Sequence, residues 1–206
     1  VVLESEVDAM ARTREFDRRA VVRAARQFFW EHGYEDASIA GLEAATGLNR
    51  SSIYNAFDSK RGLFDAAAQS YLDEVVRPRL APLEAETVEA GALRAYLSGL
   101  ADAFARVGSM PAAHGCLLIN AAGAPVARDS DVAHVIDDYR AELRTAIGRG
   151  VDVAVPAASA ARRARLADAV TGLVVAAFAL VRPSAPEAIR SLETAAALVD
   201  AEGAAD

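Results

Sequence analysis

Ser38-Ile39-Ala40-Gly41-Leu42-Glu43-Ala44-Ala45-Thr46-Gly47-Leu48-Asn49-Arg50-Ser51-Ser52-Ile53-Tyr54-Asn55-Ala56-Phe57-Asp58-Ser59-Lys60 is the stretch that decides the fold. It divides around Thr46-Gly47-Leu48 into two short pieces. Ser38 precedes Ile39, Leu42 and Ala45, whose spacing lines one helical face, and a serine there suits an N-cap. Gly47 supplies the freedom that a tight turn needs. Asn49 opens the second piece, in which Ile53 and Phe57 are four residues apart. Asp58-Ser59 breaks that helix and caps the next, which starts at Lys60. Two short helices joined by a tight glycine-containing turn are helix-turn-helix geometry. Ile39, Leu42, Ile53 and Phe57 are its expected core.

The second helix begins Asn49-Arg50-Ser51-Ser52. Short polar and basic groups at the exposed N-terminal end of a recognition helix are where base edges and phosphates are met. Backbone N–H groups and the helix dipole favour phosphates, so Ser38 and Lys60, at helix starts, are candidate backbone anchors. Upstream, Val21, Ala24, Ala25, Phe28 and Phe29 recur at helical spacing, arginines occupy the other faces, and Gly33 stands where a C-cap glycine belongs.

Outward from this head, periodicity predicts further helices over 60–76, 88–107, 114–122, 129–149, 159–181 and 185–201. Pro78 and Pro82 are expected to end or bend the first of these. Gly148, Gly150 and Pro156 are expected to mark the exit of the long one. The expected fold is all-α, about nine helices: an N-terminal three-helix helix-turn-helix domain over 12–60, and a C-terminal helical ligand-binding and dimerisation bundle over 61–206. Residues 1–11 are expected to be a flexible tail, with Met10 a candidate start. Val151–Val155 alternates, but a lone strand has nothing to pair with.

Composition agrees. Of 206 residues, 49 are Ala and 53% are hydrophobic, which favours helices and a real core. A single cysteine, Cys116, excludes an internal disulfide and a Cys-cluster zinc site. The net charge of −7 argues against coating nucleic acid by bulk charge. Its distribution matters more: residues 10–60 hold 8 Lys+Arg against 7 Asp+Glu, whereas 61–206 hold 14 against 19. Glu31, Glu35, Asp36 and Glu43 are expected to lie away from Asn49–Asn55, leaving a local basic face. So few cations bind weakly as a monomer, and a dimer restores affinity by joining two half-sites. The apolar stretch 169–181 is too short to span a bilayer, no secretory signal is visible, and a cytoplasmic location is expected.

These residues carry a resemblance. Residues 12–72 resemble the DNA-binding domain of TetR-family repressors, through Ala24-Ala25, Phe28-Phe29, Gly33-Tyr34-Glu35-Asp36-Ala37-Ser38-Ile39 and the run from Ala44 to Phe64. The ordered Gly-Tyr, Ser-Ile, Thr-Gly-Leu, Tyr-x-x-Phe and Ser-Lys elements make the match specific. Gly115-Cys116-Leu117 resembles a motif of some branches. The resemblance implies that Ser38, Tyr54 and Lys60 grip phosphates and that Arg50, Ser51, Ser52 and Asn55 face the groove. Tyr54 also fits a core aromatic, and Ser38 can cap its helix at the same time. The resemblance further implies a homodimer on a palindromic double-stranded DNA operator, released when a small-molecule effector enters the C-terminal helices.

Candidate pocket residues are Tyr71, Tyr96, Phe104, Cys116, Leu117, Asn120, Ile136 and Tyr139; each also fits ordinary core. Pockets between bundle helices are mostly apolar with a few polar groups, which this set satisfies. Two stripes, Leu166, Val170, Leu173, Val174 and Ala177 with Ile189, Leu192, Ala196 and Val199, point to a four-helix dimer interface. Arg162-Arg163-Arg165 reads as a solvated helix face. Cys116 has two readings: a buried small hydrophobe, or an electrophile or redox sensor whose thiolate is favoured by a helix N-terminus and His114. An enzyme is disfavoured. No Glu-x-x-His, His-Glu-x-x-His, Gly-x-Ser-x-Gly or P-loop occurs, and no cofactor or metal is expected. A helical interaction scaffold with little DNA binding is the remaining alternative.

Overall fold

The computed structural model describes the backbone of residues 2–204 and the side chains of residues 18–204. The tail expected at 1–11 lies outside the described side chains. Among the described residues every regular element is helical, and each of the nine predicted helices has a counterpart. The chain divides into two compact units, Val1–Asp73 and Glu74–Asp206.

The first unit holds α1 (Val2–Asp36), α2 (Ile39–Thr46), α3 (Arg50–Phe57) and α4 (Lys60–Tyr71). Gly33 interrupts α1 with φ 78 and ψ 171, as a terminating glycine should. Ser38, Asn49 and Ser59 are the N-caps of α2, α3 and α4, each accepting a backbone N–H inside its helix. The core joins α1 to α4 through aromatic edges. Phe29 meets Phe64 with ring centroids 5.2 Å apart, and Trp30 meets Tyr71 at 4.9 Å. This packing takes α4 into the first unit, which runs to Asp73, so the division lies just after the fourth helix. Leu42, Ile53 and Phe57 are buried as expected, and Ile39 is half-buried. A Cβ on Gly41 would stand 2.3 Å from the Phe28 ring, so the glycine is what lets α2 sit on α1.

Pro78 and Pro82 act differently from a simple stop. The chain widens into a π-helical stretch, Leu72–Val76, and resumes as α5 (Arg77–Glu84) with Pro82 inside it. Pro78 has no N–H to offer the carbonyl four residues back, which lies in the middle of that wider turn.

The second unit continues with α6 (Ala92–Ala105), α7 (Met110–His114), α8 (Leu117–Ala122), a 3-10 turn (Pro125–Arg128), α9 (Ser130–Ala154), α10 (Ala160–Leu180) and α11 (Ala185–Gly203). The most extensive packing in this unit joins α10 to α11, with α11 also on α6 and α10 also on α9. Phe104 of α6 meets Phe178 of α10 edge-on at 5.6 Å. Gly115 has φ +67, and a Cβ there would stand 2.5 Å from the Phe178 carbonyl oxygen. Arg163 pairs with Asp152 at 2.8 Å and Arg162 with Glu202 at 2.5 Å, tying α10 to its neighbours.

Gly148 and Gly150 do not end the long helix: α9 runs through both to Ala154, just before Pro156. The alternating Val151–Val155 therefore lies in helix and its cap. Gly150 is buried for a packing reason, since a Cβ there would stand 2.9 Å from Leu83 of α5 and Leu93 of α6. Gly148 faces only ordinary contacts, the nearest at 3.5 Å. The two glycines should respond oppositely to alanine. Gly148→Ala should stabilise by up to about 1 kcal/mol through helix propensity. Gly150→Ala should destabilise, because overpacking of about 1–3 kcal/mol outweighs the same gain. Urea unfolding of the two variants checks this, and a raised midpoint for Gly150→Ala would contradict it.

Candidate nucleic-acid interface

An eight-residue helix is too short to be stable alone. α3 is held from the inside and at both ends. Ile53 and Phe57 bury its inner face. At its start the Asn49 carboxamide oxygen accepts the Ser52 N–H at 2.8 Å and the Ser51 hydroxyl at 2.7 Å. The Arg50 N–H donates to the Glu43 carboxylate at 2.5 Å. At its end Asp58 takes φ 63, and Arg18 of α1 donates to the Ala56 carbonyl at 3.1 Å while its guanidinium covers the Phe57 ring at 4.6 Å. A cation at a helix C-terminus also complements the dipole. The turn itself is set by Gly47 at φ 71, with the Thr46 hydroxyl donating to the Leu42 carbonyl at 2.6 Å.

This leaves one face of α3 outward. Arg50, Ser51, Tyr54 and Asn55 are exposed and Ser52 is half-buried. Positions 50, 51, 54 and 55 share a side of a helix. The Arg50 guanidinium lies 5.5 Å from the Tyr54 ring centroid, within cation–π range. Tyr54, 37% exposed, is therefore not a core aromatic. Ser38 is exposed while its hydroxyl oxygen accepts the Gly41 N–H at 3.0 Å, so it caps and faces outward at once. Lys60 is half-buried: its ammonium lies 4.5 Å from the Tyr34 ring centroid and donates to the Glu35 carbonyl at 3.4 Å. Burial lowers its pKa from the ordinary lysine value, and the Glu35 and Asp36 charges pull the other way.

One expectation is overturned. Of the four acids expected to lie away from Asn49–Asn55, Glu43 instead caps α3 at the Arg50 N–H, and, outside that stretch, Glu35 and Asp36 act on Lys60. A carboxylate seven residues before Arg50 reaches it because the turn folds α2 back, which linear spacing does not show. The contributions of Glu43, Arg18 and Tyr34 were missed for the same reason.

The expected pocket residues scatter. Tyr71 packs on Trp30 in the first unit. Phe104 and Leu117 are core. The Asn120 amide donates to the His114 carbonyl at 2.7 Å, which joins α7 to α8. Ile136 is half-buried. Cys116 is wholly buried, its thiol 3.7 Å from the Tyr139 hydroxyl and making no cap bond. A sealed thiol of this kind is the inert class, not the exposed electropositive class that oxidants find. Tyr96 alone of the set lines a cleft of about 280 Å³ between α5 and α6. No group of three or more metal-ligating side chains occurs among the described residues, and no described helix is long and apolar enough to cross a membrane.

Residues 21–67, which contain this interface, match the bacterial regulatory proteins of the tetR family. The chain is 34% identical over 132 residues to the HTH-type transcriptional repressor ComR of Escherichia coli, covering 63% of this chain and 61% of that one. It is 30% identical over 142 residues to an uncharacterised HTH-type regulator of Bacillus subtilis, YezE, covering 69% and 72%. A solved structure of the TetR-family transcriptional regulator CifR, a cysteine mutant with 26 bp double-strand operator DNA, aligns with TM-score 0.69 at 26% identity, over 88% of this chain and 94% of that one. The ComR match thus spans less than two thirds of that repressor.

The local account is testable without DNA. Glu43→Ala should speed amide hydrogen exchange at Arg50 and leave Leu63, inside α4, unchanged. Equal exchange at Arg50 would show that Asn49 alone holds the helix start.

Proposed function

The chain belongs to the tetR family of bacterial regulatory proteins, and on that premise we propose that it is a transcriptional repressor, not an enzyme, that binds a palindromic operator as a homodimer. The observation that carries this reading is the outward face of α3. A short helix fixed at both ends presents Arg50, Ser51, Tyr54 and Asn55 together. Arg50 can take a guanine edge with its two-pronged guanidinium, and Ser51, Ser52 and Asn55 offer shorter polar contacts. Ser38 and Tyr54 suit phosphates on either side. Lys60 reaches a phosphate by leaving the Tyr34 ring.

Dimerisation is proposed through α10 and α11. Their inner residues, Leu166, Val170, Val174, Ala177, Leu192 and Val199, are spent on packing within one chain. The outer faces keep Gly172, Leu180 and Leu198 exposed, the last two at 37% and 41%. Small residues there permit close approach of a second pair of helices. Of the expected stripes, Leu173, Ile189 and Ala196 are half-buried and sit at the edge of that face. Two recognition helices then enter successive major grooves about 34–36 Å apart. A small-molecule effector in the second unit favours a different spacing. An effector that binds the released form about 100-fold more tightly supplies roughly 2.7 kcal/mol toward release. A cytoplasmic location goes with this role.

Arg50→Ala should weaken operator binding by about 1–3 kcal/mol and relax specificity at one base pair. Lys60→Ala should weaken specific and non-specific DNA alike and reduce the slope of affinity against salt. Fluorescence anisotropy at several salt concentrations separates the two, and unchanged affinity of Arg50→Ala would contradict its assignment. Gly172→Arg adds a side chain where a Cβ meets nothing within 4 Å, so the chain should fold. It should sediment as a monomer, and a dimer of unchanged mass would move the interface elsewhere.

A further inference from the structure

The cleft between α5 and α6 has an unusual charge for its surroundings. Residues 61–206 are acidic, yet among the described residues no carboxylate lines this cleft, and the one charged side chain there is Arg79. Tyr96 lines it as well, and the rest of the wall is apolar, with Pro78, Pro82 and Leu100. Arg79 and Tyr96 feel each other electrostatically, but neither has a hydrogen bond or ion pair among the described residues. Burial and the nearby Cys116 thiol hold the Tyr96 phenol well above its ordinary pKa, against the pull of Arg79. Its hydroxyl, like any phenol at neutral pH, is protonated and can donate. Two hydrogen-bond donors thus line a cleft that is otherwise apolar among the described residues.

A second, independent feature is Gly99. It lies inside α6, exposed, on the cleft wall, and a Cβ there would meet nothing within 4 Å. Glycine within a helix is less stable than alanine by about 0.5–1 kcal/mol. At Gly41 and Gly150 a tight neighbour explains the residue; at Gly99 no protein neighbour does. What its missing side chain leaves open is the cleft.

Building on the regulator reading above, we propose that this cleft is the effector site, and that the effector is a small organic carboxylate. Arg79 and Tyr96 hold its anionic end, and its apolar body lies against Pro78, Pro82 and Leu100. A guanidinium matches a carboxylate with two parallel N–H bonds, which a neutral amide cannot reproduce. The volume, about 280 Å³, suits a compact molecule.

Benzoate and its neutral isostere benzamide are the probes. Thermal unfolding and titration calorimetry are run on the full chain, on Arg79→Gln and on Gly99→Leu. Benzoate should raise the unfolding midpoint of the wild-type chain in a dose-dependent way, and benzamide should not. Arg79→Gln should weaken benzoate by about 10- to 100-fold, the loss of one charge-assisted pair, with its ligand-free midpoint little changed. Gly99→Leu should fill the cleft and abolish the response while folding normally. The proposal is overturned if benzoate has no effect, if benzamide binds as well, or if Arg79→Gln responds like the wild type. Operator binding without ligand is measured in parallel. Intact operator binding with no benzoate response overturns the effector class alone, whereas absent operator binding overturns the regulator reading whether or not benzoate binds.

Discussion

The reading face depends on one constraint: an eight-residue helix must be held still without using its outer side. Isolated, α3 would melt, because nucleation consumes more order than its few hydrogen bonds return. The protein meets this by working only on the inner face and the two ends. Ile53 and Phe57 anchor the inside, Asn49 and Glu43 occupy the N–H groups at the start, and Arg18 takes the carbonyl of Ala56 at the close. The aromatic packing of α1 on α4, through Phe29, Trp30, Phe64 and Tyr71, supplies the rigid base. The side chains of Arg50, Tyr54 and Asn55 are left outward, while Ser51 also braces the helix start through its bond to Asn49.

The same arrangement sets the electrostatics. Glu43 stabilises α3 but places a negative charge at the end whose dipole favours phosphate. Lys60 is parked on Tyr34 between the Glu35 backbone and two acidic neighbours. The head is therefore poorly charged for gripping DNA of any sequence, which is why the proposed regulator relies on fit and on a second head. The second unit is acidic as well, which disfavours non-specific attraction of nucleic acid. Net acidity in this chain acts against non-specific binding.

Much of this was legible in the sequence, and the reason is that local chemistry decided it. Ser38, Asn49 and Ser59 cap the helices they precede, and Gly33 and Gly47 turn the chain where expected. The outward set of α3 follows from helical periodicity around Ile53 and Phe57. What was not legible is tertiary. Gly150 reads as a terminator until Leu83 and Leu93 are seen against it. Glu43 reads as a distant acid until the turn brings it to Arg50. Asn120, a polar residue on an apolar helix, reads as a ligand contact until His114 is found at its amide. Cys116 reads as a possible sensor until its burial is known. Arg79 carried no signal, because an exposed arginine on a helix is ordinary until it is found lining a cleft whose other described walls are apolar apart from Tyr96.

The most direct test of the central claim is selection of the full-length chain on random double-stranded DNA, followed by sequencing of the bound pool. The account predicts enrichment of inverted repeats whose half-site centres lie about one helical turn, or a multiple of it, apart, and loss of enrichment at one symmetric pair of positions when Arg50 is replaced by alanine. A pool with no enrichment, or one enriched in single asymmetric sites, would contradict a dimer that reads DNA through α3.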